Sequence, residues 1–444
     1  MEVGKTYKLE IESYDVNGYG VSHIDNKVVF VEKALAGEVV IAKITNIHKK
    51  YAFAITIRVL EQSENRIEPK CQYYHLCGGC DLLHLNYDTE CYIKENKVKQ
   101  TLRRKDNVIF NPIIRSKQTE AYRNKVMVPF ARDEEDDVLY GFYEKNSHKI
   151  VSMDKCLIST DLANKILYFI NRYLNVFHIS IYNEDLHNGI FKEVMIRNTS
   201  TNEYMIVLVV TKDIGFEQLV KYLTDEFKEI KSIYLNINEI KTNVVLSNNY
   251  KLLYGNPVII EEILGLKFQV SPSSFMQVNH NQCEQLYEEA LRMAQINEDM
   301  VVIDAYCGMG SITLNIAKKA KKVYGIEIVE QAIINANENK KLNSIDNVEF
   351  ICGKCEDEIA RLVNKEQIDV IIFDPPRKGC DLKFLDTVVK MKIPKIVYIS
   401  CNIATAKRDI DILEQRGYCL KEVTPVDLFS KTSHVECVSL LIKK

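Results

Sequence analysis

The apolar run KIVYIS ends in Ser400-Cys401-Asn402, where a strand would pass into a helix. The partial positive charge of a helix N-terminus favours a cysteine thiolate, the nucleophilic form. A lone cysteine at a strand end is more often a small buried hydrophobe. The reactive reading gains weight because two neighbouring runs also finish in polar, turn-forming motifs. IDVIIFD leads into Asp374-Pro375-Pro376-Arg377-Lys378-Gly379, and MVVIDAY leads into Cys307-Gly308-Met309-Gly310-Ser311. Three strand ends with reactive or flexible groups describe a site at one edge of a sheet.

Gly308 and Gly310 allow a tight turn and close approach of backbone to a ligand. The next strand-like run, KKVYGIE, ends in Glu327, 17 residues beyond Gly310. An acid in that place can accept hydrogen bonds from both hydroxyls of a ribose. The loop matches neither GxGxxG nor a phosphate loop with its Lys-Ser/Thr. An adenosine-containing ligand without phosphates is therefore favoured, and S-adenosylmethionine fits better than a nicotinamide dinucleotide.

A second group of cysteines lies far from these. Cys71, Cys77 and Cys80 follow the spacing C-x5-C-x2-C around Gly78-Gly79, and Cys156 is available as a fourth ligand from a distant loop. Four cysteines suit a structural zinc or an iron–sulfur cluster equally by count. Cys91 falls outside the pattern.

The elements that position these groups divide the chain into three. Residues 1–60 contain short alternating strands (YKLEIESYDV, KVVFVEKA, EVVIAKITNI, YAFAITIRVL) with glycine turns, the pattern of a small OB-like β-barrel. Residues 61–265 carry the cysteines and then mix strand-like runs with helical ones such as TDLANKILYFINRYL, an α/β region. Residues 266–444 alternate strand and helix: MVVIDAY, KKVYGIE, NVEFICG, IDVIIFD and KIVYISC are five strands of a parallel sheet covered on both faces, a Rossmann-like arrangement. Ligands on such sheets bind beyond the carboxyl ends of the strands.

With 444 residues, 46% hydrophobic and 27% charged, the composition is globular. No run approaches the roughly 18–20 apolar residues that span a bilayer, and MEVGKTYKLEIESYD lacks the apolar core of an export signal. Thirteen cysteines then imply thiol or metal chemistry in the cytoplasm rather than a disulfide framework. The net charge of −3 conceals a gradient: between Lys94 and Lys125 ten Lys/Arg stand against three acids. Such a block can attract a phosphate backbone or form a solvated helix face.

DPPRKG (374–379) and SCN (400–402), together with DAYCGMG and SFMQVN (274–279), resemble the RNA (uracil-5-)-methyltransferase family. The Gly18–Val21 turn, Val29-Phe30-Val31 and Ala36-Gly37-Glu38 resemble a TRAM module, an RNA-binding barrel. The resemblance implies that Cys401 attacks carbon 6 of uracil and that Glu436, in His434-Val435-Glu436-Cys437, removes the proton from carbon 5. It implies that Gln277, Tyr306, Glu327 and Asp374 hold S-adenosylmethionine, with Asp374 also suited to the uracil edge; Ser311 replaces the asparagine of several relatives. Members with a TRAM module have CxxxxxCGGC and a later cysteine, here Cys71, Cys77, Cys80 and Cys156, on a [4Fe-4S] cluster. Tyr122-Arg123-Asn124-Lys125 and Gly141-Phe142-Tyr143 match segments leading to that fourth cysteine. By this resemblance, a TRAM module with a cluster implies 23S rRNA as substrate over tRNA; a monomer with RNA as partner, and no membrane, is expected. Without the resemblance, Glu436 would be taken for a surface acid on the last strand.

Overall fold

The computed structural model describes residues 1–104, 107–240 and 244–444, the side chain of Val363 excepted. Lys105 and Asp106 of the basic block lie outside the described residues.

The N-terminal strands are β1 (Thr6–Glu10), β2 (Ser13–Tyr14), β3 (Gly20–Ile24), β4 (Lys27–Glu32), β5 (Val39–Ile47) and β6 (Tyr51–Glu61), in the sheet order β1-β5-β6-β4-β3-β2. Alternation decides which face is inside: Val29, Val31, Val40, Ala42, Ile44 and Ala54 fill the barrel while their neighbours point outward. The turn read over Gly18–Val21 gives way at Gly20 to strand β3, which pairs along β4 from Gly20–Val31 to Ile24–Lys27.

Helix α1 (Tyr87–Leu102) follows, with Asn86 accepting from the Thr89 amide as its cap. After the short β7 (Ile109–Phe110) comes the middle sheet. It comprises β8 (Lys125–Arg132), β9 (Val138–Tyr143), β10 (Ile150–Ser152), α2 (Asp161–Val176), β11 (Phe191–Asn198), β12 (Tyr204–Val210), α3 (Glu217–Glu226), β13 (Ile230–Ile237) and β14 (Tyr250–Gly255), in the strand order β10-β9-β8-β11-β12-β13-β14. YMIVLVV occupies β12, where every residue is buried. A hairpin, β15 (Ile259–Ile263) and β16 (Leu266–Val270), leads into the last unit.

That unit runs α4 (His280–Ala294), β17 (Val301–Ala305), α5 (Ser311–Ala317), β18 (Lys322–Glu327), α6 (Glu330–Leu342), β19 (Val348–Cys352), α7 (Cys355–Val363), β20 (Val370–Phe373), α8 (Leu382–Lys390), β21 (Lys395–Ser400), α9 (Ile403–Gln415), β22 (Tyr418–Val426) and β23 (Glu436–Lys443). The sheet order is β19-β18-β17-β20-β21-β23-β22-β7. The five expected strands are parallel neighbours. β23 enters antiparallel between β21 and β22, and β7 pairs parallel with β22 at the edge. Apolar clusters fill both faces of this sheet.

The fold divides the basic block. α1 packs on α9 and β22, while Arg103, Arg115 and Lys117 stay exposed. Lys94 is wholly buried. Lys99 pairs with Glu95, Arg104 with Asp411 and Glu414, and Arg115 with Asp88. Among the described residues no helix is long and apolar enough to cross a membrane.

Candidate active site

The order of the sheet reverses between β17 and β20, the switch point where ligands bind in open α/β sheets. Beyond these strand ends stand the glycine loop and Asp374. Tyr306 follows β17 with φ +64, a left-handed conformation that is costly for an aromatic residue and is found where function requires it. Gly310 also lies at positive φ, +83, and a Cβ there would stand 2.7 Å from Phe350. A Cβ on Gly308 would instead project into open space, which leaves room for a ligand. Asp304, buried at the end of β17, accepts from the Thr313 hydroxyl and ties the strand to α5. Burial pushes its carboxyl up to about 8.

Glu327 ends β18 beside the loop. Its carboxylate accepts from the Gly308 amide at 3.3 Å and from the Val329 amide at 2.9 Å. The donor set fits an adenosine-containing methyl donor: open space at Gly308, a strand-end acid, and the Tyr306 ring packed on Phe384 at 5.3 Å. Ser311 is engaged elsewhere, its hydroxyl 2.8 Å from that of Tyr287.

Gln277 lies between β16 and α4. It is buried and donates from Nε2 to Asp374 Oδ2 at 3.2 Å. Asn124 holds its backbone by donating to the Gln277 carbonyl at 3.0 Å. The wholly buried Arg197 donates to the Ser274 carbonyl at 2.7 Å and so anchors the same loop from the middle sheet.

The partner strand of β21 brings the two proposed reacting groups together. Ser400 pairs with Cys437, so Cys401 comes level with Glu436. Asn402 caps α9 through the Ala404 amide and donates to the Arg377 carbonyl at 3.2 Å, fastening SCN to DPPRKG. Glu436 is only 1% exposed, and its Oε2 has no hydrogen-bond partner among the described residues. Burial, and then Asp374, hold its carboxyl well above the usual range, while Arg377 works in the opposite direction. Asp374 is raised as well, by burial, against the hydrogen bond from Gln277.

The helix N-terminus is only part of the setting of Cys401. Burial, Glu436 and Asp374 push the thiol up to about 11, against the lowering effect of Arg377. The residue stands immediately before Asn402, the cap of α9.

A buried charge network fixes the segment between β22 and β23. Lys94 Nζ donates to Glu90 at 2.8 Å, to Asp427 at 2.5 Å and to the Phe429 carbonyl at 3.1 Å. Asp427 also accepts from Tyr87 and Ser430, and Glu90 from the Lys431 amide. Glu436 follows directly on this braced segment.

Cys71, Cys77, Cys80 and Cys156 line one cavity of about 410 Å³, with Arg123, Lys125 and Lys155 also on its wall. Asn164 holds Cys156 through its backbone amide and carbonyl. Burial raises the thiols of Cys71, Cys77 and Cys80. Among the described residues no group of three or more His, Cys, Asp or Glu side chains could hold a metal ion.

A family model described as tRNA (uracil-5-)-methyltransferase matches residues 86–444, and a TRAM domain model matches residues 1–57. The chain belongs to the tRNA (uracil-5-)-methyltransferase family. As a member it is an S-adenosylmethionine-dependent RNA (uracil-5-)-methyltransferase carrying a TRAM domain. It is similar to an uncharacterized RNA methyltransferase of Oceanobacillus iheyensis, 40% identical over 99% of this chain and 96% of that one. A counterpart from Clostridium acetobutylicum is 41% identical over 98% and 96% of the two chains. The fold is shared with the crystal structure of Pyrococcus abyssi tRNA (uracil-54, C5)-methyltransferase in complex with S-adenosyl-L-homocysteine. That match has a TM-score of 0.78 at 24% identity over 98% of this chain and 99% of that one.

Sequence reasoning gave no role to Arg377, although it stands inside the DPPRKG motif of this family member. Nor did it identify the Lys94–Asp427 network. The available signal was Lys94 at helical spacing with Cys91, Val98 and Leu102, apolar residues of α1.

Proposed function

We propose that the protein, as a cytoplasmic monomer, methylates carbon 5 of a uridine in 23S rRNA through a covalent bond between Cys401 and carbon 6 of the base. The β21–β23 register carries this reading, because it sets Cys401 level with Glu436 beside Gln277 and Asp374. Bound S-adenosylmethionine supplies an electrophilic methyl group. Gln277, Tyr306 and Glu327 hold and orient it, and Asp374 holds it or the uracil edge.

Carbon 5 of neutral uracil is a weak nucleophile. The Cys401 thiol gives up its proton to a neighbouring carboxylate or water, and the thiolate adds to carbon 6. The electrons of the 5,6 double bond then form an enolate, and carbon 5 takes the methyl. Glu436, as carboxylate, removes the remaining proton from carbon 5. That electron pair restores the double bond, the carbon–sulfur bond breaks, and the thiolate is released. A carboxyl of raised proton affinity is a strong base once ionised. Arg377 favours the ionised forms of both Cys401 and Glu436.

A [4Fe-4S] cluster on Cys71, Cys77, Cys80 and Cys156 completes the reading. Its support is the shared cavity and the cations on the cavity wall, which suit the negative charge of a four-thiolate cluster. A four-iron cube also spreads its thiolates more widely than a single zinc ion does. The cluster takes no part in methyl transfer. Anaerobically purified protein should be brown, and Cys77→Ser should bleach it; colourless protein with stoichiometric zinc overturns this assignment.

The decisive experiment for the substrate is a map of 5-methyluridine in total RNA from a deletion strain. Loss of a site in 23S rRNA is expected. Loss in tRNA alone, the substrate named for the Pyrococcus abyssi enzyme, would replace rRNA by tRNA.

A further inference from the structure

The outer face of the N-terminal barrel carries a connected group of aromatic rings. Phe30 on β4 pairs in register with Phe53 on β6, and their rings lie 5.6 Å apart. Tyr51 meets Phe30 at 5.8 Å and Phe53 at 5.6 Å, and His48 lies 4.5 Å from Tyr51. Tyr19 adds a further edge, 6.2 Å from Phe53. The strand pattern makes this arrangement an outward one: Val29, Val31, Ala52 and Ala54 point into the barrel, so the alternate positions face solvent. Tyr51 is 36% exposed and His48 is exposed. Barrel stability does not require aromatic rings outside, because the apolar core lies on the other face.

At the β5–β6 edge of this face the charges are positive. Lys49 and Lys50, exposed in the β5–β6 turn, make no ion pair among the described residues. Lys145 sits over the Tyr19 ring at 5.6 Å and pairs with Glu32 at 2.9 Å. The face is also continuous with the active-site side of the molecule. A cleft of about 280 Å³ joins Tyr19, Lys33, Lys145, Asp81 and Ser433. Lys97 bridges Asn17 of the barrel to the Ser433 carbonyl, three residues before Glu436.

We propose that Tyr19, Phe30, His48, Tyr51 and Phe53 form a stacking platform for unpaired bases of the substrate RNA, with Lys49 and Lys50 meeting its phosphates. Every base has a π-face, so rings on a cationic rim bind single strands with little sequence preference. The platform would grip a strand flanking the target uridine while the catalytic sheet takes the flipped base. This inference rests on RNA being the substrate.

The chain contains no tryptophan, so Tyr51→Trp places a single reporter on the platform. The full-length variant is titrated with an unstructured single-stranded RNA 15-mer and with an RNA duplex, following tryptophan emission and the anisotropy of labelled RNA together. Quenching by the single strand and not by the duplex is expected. Tyr51→Ser should weaken single-strand binding about tenfold with S-adenosylhomocysteine affinity unchanged. Lys49→Gln with Lys50→Gln should lower the salt dependence of binding by about 1–2 in slope. Binding without quenching, or equal quenching by duplex, overturns the platform alone. Absence of any RNA binding by the wild type overturns the substrate reading with it.

Discussion

The Lys94 ammonium stands 2.5 Å from the Asp427 carboxylate across 333 positions of sequence, with neither side chain exposed. Burial opposes ionisation of both groups. Their attraction, with Glu90 and the surrounding hydrogen bonds, nevertheless raises the lysine and lowers the aspartate from their ordinary values. Removing one partner from such a cluster leaves uncompensated buried charge, which costs about 3–5 kcal/mol. Lys94→Met should lose about that much stability in urea unfolding. It should also lose methyl transfer, because the segment before Glu436 loosens.

The same pair has a defined pH dependence. Asp427 has a folded-state value below its unfolded one, so its contribution is complete above the unfolded carboxylate range. It is lost as pH falls through the depressed folded value. Acid unfolding of wild type should therefore be steeper than that of Asp427→Asn, as circular dichroism between neutral pH and pH ~2 would show.

RNA carrying 5-fluorouridine at the target should trap the protein. Fluorine at carbon 5 cannot be removed as a proton, so the adduct cannot resolve once methylated. With S-adenosylmethionine the wild type should form a complex stable to denaturing electrophoresis, whereas Cys401→Ala should bind the RNA without a covalent band. Glu436→Gln should accumulate adduct even on ordinary uridine. RNA binding without adduct by the wild type would make this a non-catalytic RNA-binding protein on the same scaffold.

The resting thiol should be slow to react. Burial and two neighbouring acids hold Cys401 near 11. The rate of its alkylation by iodoacetamide, read by peptide mass spectrometry, should rise through pH 8–10 with no plateau. Glu436→Gln and Asp374→Asn each remove one repulsive neighbour and should move the profile to lower pH.

Gly310→Ala tests the cofactor cradle. Its Cβ would meet Phe350 at 2.7 Å on a residue whose φ is +83. A left-handed strain of about 1–3 kcal/mol adds to that clash. S-adenosylhomocysteine affinity by calorimetry should fall at least tenfold, while Gly308→Ala, whose Cβ meets only open space, should disturb the fold less.

Local chemistry is written in short spans, and those spans were legible. Five apolar runs without alternation gave β17–β21, since strands covered on both faces need no polar side. Each of the three strand-end motifs lies within one turn of its own strand. Alternating residues likewise revealed β4, β5 and β6, but β3 hid behind a glycine turn because its five residues hold too few apolar positions to stand out.

Long-range pairing decided the rest. Nothing local places β23 between β21 and β22, yet that insertion converts Glu436 from a last-strand acid into a buried carboxyl level with Cys401. Likewise a count of charges cannot tell which cations find distant acids, and Lys94, Arg104 and Arg115 found them within the fold. The surroundings of Cys401 depend on the same long-range contacts. Its sequence neighbours suggested a helix terminus that lowers the thiol, but burial and two carboxyls from other strand ends raise it. Motifs along the chain specify which groups are present. Charge state and reach depend on desolvation and neighbours, and only the folded sheet supplies those.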